Sequence, residues 1–313
     1  MKGIILVPII LGSTFLIAGG TLVGIALANN KADKIVENEY VIEDAFENFD
    51  IDLSIANLEL IKSTDEKVKV VCKESEKELH EVKVGDNTLQ IIQTNTKKWY
   101  ERIFSWGWKE RKVTVYLPET SYSEMMLHTS TGNVKIPSEF KFNKFTAKIS
   151  TGNITVNADV ETSTYVETST GNINLGYMDT KNVSLKASTG NVVMYKVNAE
   201  EKIDIKTSTG NLNLTEIRAK NLETKCSTGN VLLTDVVMEE KIIMKTSTGN
   251  VKIVDSDMDT MNIDTDTGDV RGHLLSVHTF DCHTDTGKIR LPDNHSTGGL
   301  VTVNTDTGNI IFD

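Results

Sequence analysis

The chain contains little cysteine, and its cysteines are widely separated. Cys72, Cys226 and Cys282 are the only three in 313 residues, and no Cys-x-x-Cys pair occurs. An odd, sparse set of this kind excludes a disulfide scaffold and a zinc site built on paired cysteines. We expect the three thiols to be small buried side chains.

Excess positive charge is also absent. Lys and Arg together number 33 against 44 Asp and Glu, which gives a formal net charge of −11. Proteins that bind nucleic acid usually carry a basic surface, so this balance argues against nucleic acid as a partner. The six histidines form no His-Glu-x-x-His motif, and no Gly-x-Ser-x-Gly motif occurs. The sequence therefore predicts neither catalysis nor a cofactor.

The first 28 residues lack charge almost completely. Residues 3–28 are uncharged and mostly apolar, which is long enough to cross roughly 30 Å of hydrocarbon as a helix. We predict a single-pass transmembrane anchor at 1–28, with the rest of the chain outside the cytoplasm. The alternative is a signal peptide that is cleaved after the small residues at 26–28, which would release a secreted protein.

Three further segments follow the anchor. Residues 29–48 are polar and acidic and predict a linker. Residues 49–120 alternate apolar with polar side chains, a pattern that predicts a small β module. Residues 121–313 form a repeat domain.

The repeat domain returns to one turn ten times. Its signature is Ser-Thr-Gly-Asn, with Asp for Ser in three copies, and the glycines are spaced by 19 to 21 residues. The ten glycines are Gly132, Gly152, Gly171, Gly190, Gly210, Gly229, Gly249, Gly268, Gly287 and Gly308. A repeat of this length indicates an array of identical structural units.

The columns of the repeat identify the unit. Apolar residues cluster five and seven positions before the glycine and two and four after it, as in Ile205, Ile203, Leu212 and Leu214. A period of two excludes helical repeats, and about 20 residues is half a propeller blade. We therefore predict an all-β fold, a single-stranded β-solenoid (β-helix) of about ten coils. Glycine is required at the corner because it adopts positive φ freely, and stacked Asn side chains can hydrogen-bond from coil to coil.

Three features of the sequence together resemble a known family. They are the apolar amino terminus, a β module that ends in Val-Thr-Val-Tyr-Leu-Pro, and repeats of Ser-Thr-Gly-Asn-Val or Asp-Thr-Gly-Lys-Ile. The chain is similar to the adhesin-like family of bacterial β-strand-repeat proteins, a domain of unknown function common in Gram-positive cell envelopes. The resemblance covers about residues 40–313. It implies an envelope protein on a β-helical stalk, linked in some relatives to envelope stress responses, and it brings no catalytic residues.

One candidate binding surface is a set of stacked lysines. Lys186, Lys206, Lys225 and Lys245 stand four residues before the glycine in four consecutive repeats. Stacking would place like charges about 5 Å apart, which is unfavourable. An anionic polymer of the cell wall, or an envelope membrane, would relieve that repulsion. The alternative is a solvated face on which the long side chains spread apart.

A second candidate is acidic. Asp266, Asp285 and Asp306 replace the motif serine in the last repeats, and stacked carboxylates can ligate Ca²⁺. The alternative is that each aspartate caps backbone amides in its turn.

The third candidate is the aromatic segment at 97–111, which contains Trp99, Trp106 and Trp108. Its tryptophans and basic residues suit a membrane interface, or a site that binds a sugar or a peptide. The alternative is a cap on the amino-terminal end of the solenoid.

The chain stops directly after its last predicted strand. An uncapped strand there would leave an edge open to pairing, so the sequence predicts self-association through the carboxy-terminal edge. Together these features predict a membrane-anchored, extracytoplasmic interaction or scaffold protein of the bacterial envelope, whose partners are wall polymer or envelope membrane proteins. The alternative function is a β-helix enzyme that acts on cell-wall polysaccharide.

Overall fold

A computed structural model describes residues 35–75, 78–94, 111–292 and 298–313. Within these ranges the regular structure consists of 23 β-strands that belong to one continuous sheet. None of the described residues belongs to a helix that is long and apolar enough to span a bilayer. The predicted anchor at 1–28 lies outside the described residues.

The first seven strands occupy the part predicted as a linker and β module. They are β1 (Ile35–Ile42), β2 (Asn48–Ile55), β3 (Asn57–Lys62), β4 (Val68–Ser75), β5 (His80–Gly85), β6 (Thr88–Gln93) and β7 (Lys112–Leu117).

The remaining strands build the repeats. They are β8 (Ser121–Thr131), β9 (Val134–Ile136), β10 (Lys141–Thr151), β11 (Ile154–Val156), β12 (Asp159–Thr170), β13 (Ile173–Thr189), β14 (Val192–Thr209), β15 (Leu212–Thr228), β16 (Val231–Thr248), β17 (Val251–Ser256), β18 (Thr260–Thr267), β19 (Val270–Leu274), β20 (His278–Thr286), β21 (Ile289–Arg290), β22 (Gly299–Thr307) and β23 (Ile310–Phe312).

The repeats stack as parallel rungs, which confirms the predicted β-solenoid. Lys206 of β14, for example, lies beside Lys186 of β13 on one side and Lys225 of β15 on the other. Equivalent residues of successive repeats therefore form columns along the stack, about 4.8 Å apart. Nine turns of the chain join the ten corner glycines.

The corner glycines are required for two reasons. Eight of the ten have φ between +144° and +156°, a region that side-chain-bearing residues avoid. A Cβ atom at Gly210 would also lie 1.9 Å from the carbonyl oxygen of Gly190 in the rung below. The close approach of backbones was not predicted, and it excludes any larger residue at the corner.

The asparagines that follow these glycines form a ladder of hydrogen bonds. The amide N–H of Asn211 donates to Oδ1 of Asn191, and Oδ1 of Asn211 accepts from the amide of Asn230, both at 2.9 Å. The ladder begins at Asn57, whose Oδ1 accepts from the amide of Asn133 at 2.8 Å. Residues 54–57, Ser-Ile-Ala-Asn, are thus an additional corner that the motif did not reveal.

The apolar columns of the repeat form the core. Ile203, Ile205, Leu212 and Leu214 are at most 1% exposed, as predicted. A third inward column lies seven residues after the glycine, at Met178, Val197, Ile217 and Val236, and it does not continue to Leu275. Leu275 is 57% exposed because its rung is one residue shorter, so that Leu274 occupies the position beside Ser256.

The last two rungs stack in the reverse of their chain order. Strand β22 pairs with β18 on one side and with β20 on the other, and β23 pairs likewise with β19 and β21. The final turn of the chain is therefore inserted beneath the turn that precedes it. The prediction that the last strand of the chain forms the open edge is wrong, because β22 and β23 are covered on both sides. The terminal rung consists of β20 and β21.

An insertion of the same kind occurs at the amino-terminal end. Strands β2 and β3 lie between β8 and β9 on one side and β6 and β7 on the other, all parallel. Strands β1, β4 and β5 then continue the sheet in antiparallel register. The strands within residues 49–120, predicted as the β module that caps the solenoid, are thus hydrogen-bonded into the same sheet as the repeats.

Candidate functional site

The four lysines predicted to stack do form a column on one face of the solenoid. Lys186, Lys206, Lys225 and Lys245 are direct partners in successive parallel strands, and all four are exposed. We call these residues the lysine column. Its neighbours in the same register are Glu167 at one end and Asp264 at the other. The column is therefore four rungs long, about 14 Å from first to last Cα atom at the usual strand spacing.

The strands that carry the lysine column also carry other charged side chains. On the same strands, Lys202 and Lys241 add two cations, and Asp204 and Glu223 are the acidic residues between them. Glu167 and Asp264 lie at the two ends of the lysine column, and the Glu240 carboxylate accepts from the side chain of Asn221, between Lys202 and Lys241, at 3.0 Å. Six lysines thus stand among five carboxylates, and the excess of positive charge is confined to the lysine column, in a chain whose net charge is −11. Basic residues gathered on an acidic protein indicate an anionic ligand better than the same residues on a basic one.

Neutralisation within the column is incomplete. Lys206 Nζ lies 3.2 Å from Asp204, and Lys202 Nζ lies 2.7 Å from Glu223. Lys225 and Lys245 make no ion pair with any residue in the described ranges. Their ammonium groups are thus available to a ligand.

Lys186 is held by an aromatic neighbour. Its Nζ lies 5.3 Å from the centroid of the Tyr165 ring, and the hydroxyl of Tyr165 donates to Glu167 at 2.6 Å. The hydrogen bond with Tyr165 raises the pKa of Lys186. Lys186 therefore remains charged and comparatively well oriented at physiological pH.

The three predicted aspartates also stack, although their order is not the order of the chain. Asp306 lies between Asp266 and Asp285, because β22 lies between β18 and β20, and all three are exposed. They are not among the described groups of His, Cys, Asp or Glu whose ligand atoms lie within 4.8 Å of one another. The column thus brings like charges together without forming a compact ligand cage.

One compact group of potential ligand atoms does exist among the described residues, and it was not predicted. Cys72, Glu74 and His80 are buried together between β4 and β5. The Glu74 carboxylate accepts from the Asn38 amide and from the His80 backbone N–H at 2.5 and 2.6 Å, and it lies 2.5 Å from His80 Nδ1. Burial raises the pKa of Cys72 to about 12 and lowers the pKa of His80. The Glu74 carboxylate links β1, β4 and β5 through its contacts with Asn38 and His80.

A second corner, also unpredicted, lies six residues after the glycine. Five consecutive rungs place a residue with positive φ there, and these are Tyr177, Lys196, Glu216, Asp235 and Asp255, with φ between +48° and +55°. The residue types vary from rung to rung, so the position carries no sequence signal. Its left-handed backbone still directs exposed side chains outward along one ridge.

This second corner carries a shallow groove. Lys196, Glu216, Arg218 and Asp235 are among the residues that line it. Lys196 lies 3.7 Å from Glu216, and Arg218 lies 2.7 Å from Asp235. Both carboxylates are thus already paired with cations.

The structure does not describe the predicted aromatic site. Trp99, Trp106 and Trp108 lie outside the described residues. The cysteines largely match the expectation, since Cys72 and Cys226 are buried and Cys282 is half-buried on the terminal rung.

The family of β-strand-repeat proteins expected from the sequence is confirmed by comparison. The model of the Toastrack DUF4097 family matches residues 46–254 and 196–313, which together span most of the chain. None of the curated proteins matches this chain.

Several solved structures are similar to the chain at low identity. A candidate adhesin from Bacteroides fragilis is 16% identical and has a TM-score of 0.47, with 90% of this chain and 97% of that chain covered. A candidate adhesin from Parabacteroides distasonis is 12% identical and has a TM-score of 0.48, with coverage of 89% and 98%. A candidate lipid-binding protein from the same organism is 14% identical and has a TM-score of 0.47, with coverage of 88% and 96%.

Proposed function

The chain belongs to the Toastrack DUF4097 family, and on that premise we propose that it is a non-enzymatic interaction protein of the cell envelope. In this proposal the solenoid is a rigid scaffold, and the lysine column binds an anionic polymer of the cell wall. The observation that carries the proposal is the in-register stack of Lys186, Lys206, Lys225 and Lys245.

The physical argument rests on spacing. Four lysines whose Cα atoms stand about 4.8 Å apart carry like charges that repel one another, and in the described part of the chain only Lys206 of the four forms an ion pair. A linear polyanion laid along the solenoid axis would meet one cation per rung and would remove that repulsion. A small anion would neutralise only one or two of the four, so the arrangement favours a polymer.

The proposed location follows from the amino terminus. The uncharged segment at 3–28 supports a single-pass anchor, with the solenoid outside the cytoplasm, where wall polymer is found. Cleavage after residue 28 would instead release the solenoid. Cell fractionation distinguishes the two, because an anchored chain stays with the membrane and a cleaved one appears in the medium.

The test is a binding titration of the whole chain against purified anionic wall polymer. Changing the four column lysines to Gln should weaken binding about tenfold or more, since each exposed charge pair contributes several tenths of a kcal/mol. The matched control changes Lys83, Lys135, Lys141 and Lys252 to Gln, which removes the same charge from other surfaces. Equal losses in the two variants would reduce the effect to net charge and would end the proposal.

Catalysis on wall polysaccharide is the alternative, and the groove at the second corner is where it would be sought. Glycosidases need two carboxylates facing each other across a cleft. Here Glu216 and Asp235 are paired with Lys196 and Arg218 instead. Release of reducing sugar from cell walls by the pure protein, lost on Glu216→Gln, would replace the binding proposal with an enzymatic one. A contribution to envelope stress signalling is a further part of our proposal, and deletion of the gene with a stress reporter would test it.

A further inference from the structure

The terminal rung of the solenoid has an open edge. Strand β20 pairs with β22 and with no other strand in the described part of the chain. At the preceding corners the glycine amide donates to the next rung, as Gly308 N–H does to Thr286 O at 3.0 Å. Gly287 is the last corner of this series. A row of backbone groups is therefore left free to pair with another strand.

Apolar side chains at this end are also incompletely covered. Phe280, Cys282 and Ile289 continue the columns of Val301, Val303 and Ile310, which are 0% exposed one rung further in. Ile289 itself is 43% exposed, and Phe280 and Cys282 are only half-buried. The core therefore continues to the end of the stack, where another layer would cover it.

We infer that this edge pairs with the same edge of a second copy of the chain, through antiparallel pairing of β20 with β20. Cys282 is the midpoint of the nine-residue strand His278–Thr286. A two-fold axis through Cys282 pairs every residue of the strand and keeps inward-facing side chains opposite inward-facing ones. The proposal is independent of the function proposed for the lysine column.

Charge favours this register. With Cys282 on the axis, Asp281 faces the partner's His283, and His283 faces the partner's Asp281. If the two-fold axis passed through Asp281 instead, Asp281 would face its own copy in the partner strand. If it passed through His283, Asp281 would face the partner's Asp285. Both arrangements place aspartate opposite aspartate, which is unfavourable. If the two-fold axis passed through Thr284, the first residues of β20 would have no partner in the other strand. Asp281 and His283 are both exposed in the single chain, where His283 Nε2 lies 3.0 Å from Asp285 Oδ1. In the dimer His283 would exchange this exposed contact for the one with the partner's Asp281.

In this register the two Cys282 residues of the dimer face each other, so a disulfide between them would show that the strands pair as proposed. Opposed Cα atoms in antiparallel strands lie about 4.5–5.5 Å apart, which is within the range a disulfide can join. With an added oxidant such as copper phenanthroline, two Cys282 thiols lose two protons and two electrons and form one S–S bond. We expect the whole chain to yield a cross-linked dimer that disappears in Cys282→Ser, while Cys72→Ser and Cys226→Ser retain it.

Charge reversal tests the pairing without a covalent bond. Sedimentation of the whole chain in non-ionic detergent should show a dimer, and His283→Asp should weaken it about tenfold, since two cross-strand pairs become like-charged. The double variant Asp281→His with His283→Asp should restore it. Asn262→Asp adds the same charge on an inner rung and should have no effect. A monomer at every concentration, or a His283→Asp variant that dimerises like the wild type, would overturn the inference.

Discussion

The backbone amide of Asn309 donates a hydrogen bond to Oδ1 of Asp269 at 2.8 Å, although 40 residues separate the two in the chain. This contact replaces the one that chain order would give, between Asp269 and Lys288. Asn309 in turn accepts from the amide of Lys288 at 3.1 Å through its own Oδ1. The side-chain ladder thus records the true order of the rungs.

The ladder predicts unequal effects of its members on stability. Asn211→Ala removes the acceptor of the Asn230 amide and should lower the free energy of unfolding by about 0.5–1.5 kcal/mol. Lys288→Ala should have little effect, because Lys288 stands on the terminal rung, above which the described chain has no further rung. Urea unfolding of the two variants makes the comparison, and equal losses would contradict the structural importance of the ladder.

Substitution of a corner glycine should lower the free energy of unfolding more than substitution of a ladder asparagine does. In Gly210→Ala the new Cβ would lie 1.9 Å from backbone oxygen at a φ of +147°. We expect a cost of roughly 3 kcal/mol or more, since strain and steric overlap combine. Gly85→Ala is the control, because nothing lies within 4 Å of a Cβ at that position. A thermal melt of Gly210→Ala that matches the wild type would mean that the corners do not stack as described.

The aspartate column predicts a gain in stability. Asp306→Asn neutralises the middle of three stacked carboxylates and should stabilise the fold by about 0.2–1 kcal/mol. Melting in Ca²⁺ and in chelator should give the same curve, because the three side chains form no compact cage. A higher melting temperature in Ca²⁺ that Asp306→Asn abolishes would restore the calcium hypothesis.

The buried cluster around His80 predicts a dependence on pH. Burial lowers the pKa of His80 in the folded state, against an opposing effect of Glu74. The unfolded chain therefore binds more protons as the pH falls below about 6.5, the ordinary histidine value, and stability should decrease there. The carboxylates with lowered pKa, such as Glu59 and Glu223, act only below about pH 4.5.

Replacing the imidazole isolates that dependence. His80→Gln should flatten the change in unfolding free energy between about pH 6.5 and 5, whereas His128→Gln, on an exposed strand position, should leave it unchanged. A wild-type stability that rises on acidification through this window would show that the Glu74 carboxylate outweighs burial.

Much of this architecture was predictable from the repeat because stacking imposes the same demands on every rung. Gly210 must avoid the carbonyl below it and Asn211 must link two rungs, so both recur in the sequence. The lysine column was predictable for the same reason. Once equivalent positions stack, a residue repeated at one position becomes a column.

The reversed order of the last rungs could not be read from spacing, because a turn of about 20 residues fits above or beneath its predecessor equally well. One residue of the sequence, Lys288, did indicate which rung lies at the end of the stack. It stands where eight of the ten repeats have Asn, and the terminal rung requires no acceptor there. The second corner at Tyr177 and Lys196 left no signal, since it depends on backbone conformation and not on residue type.

Rung order is the claim on which the open edge and the aspartate column both depend, and cysteine trapping measures it most directly. In a chain without its native thiols, Asp266→Cys with Asp306→Cys should oxidise to an intramolecular disulfide, because the two positions lie on adjacent rungs about 4.8 Å apart. Asp266→Cys with Asp285→Cys should not, because β22 lies between them. Cross-linking of the 266–285 pair in place of the 266–306 pair would contradict the stack described here.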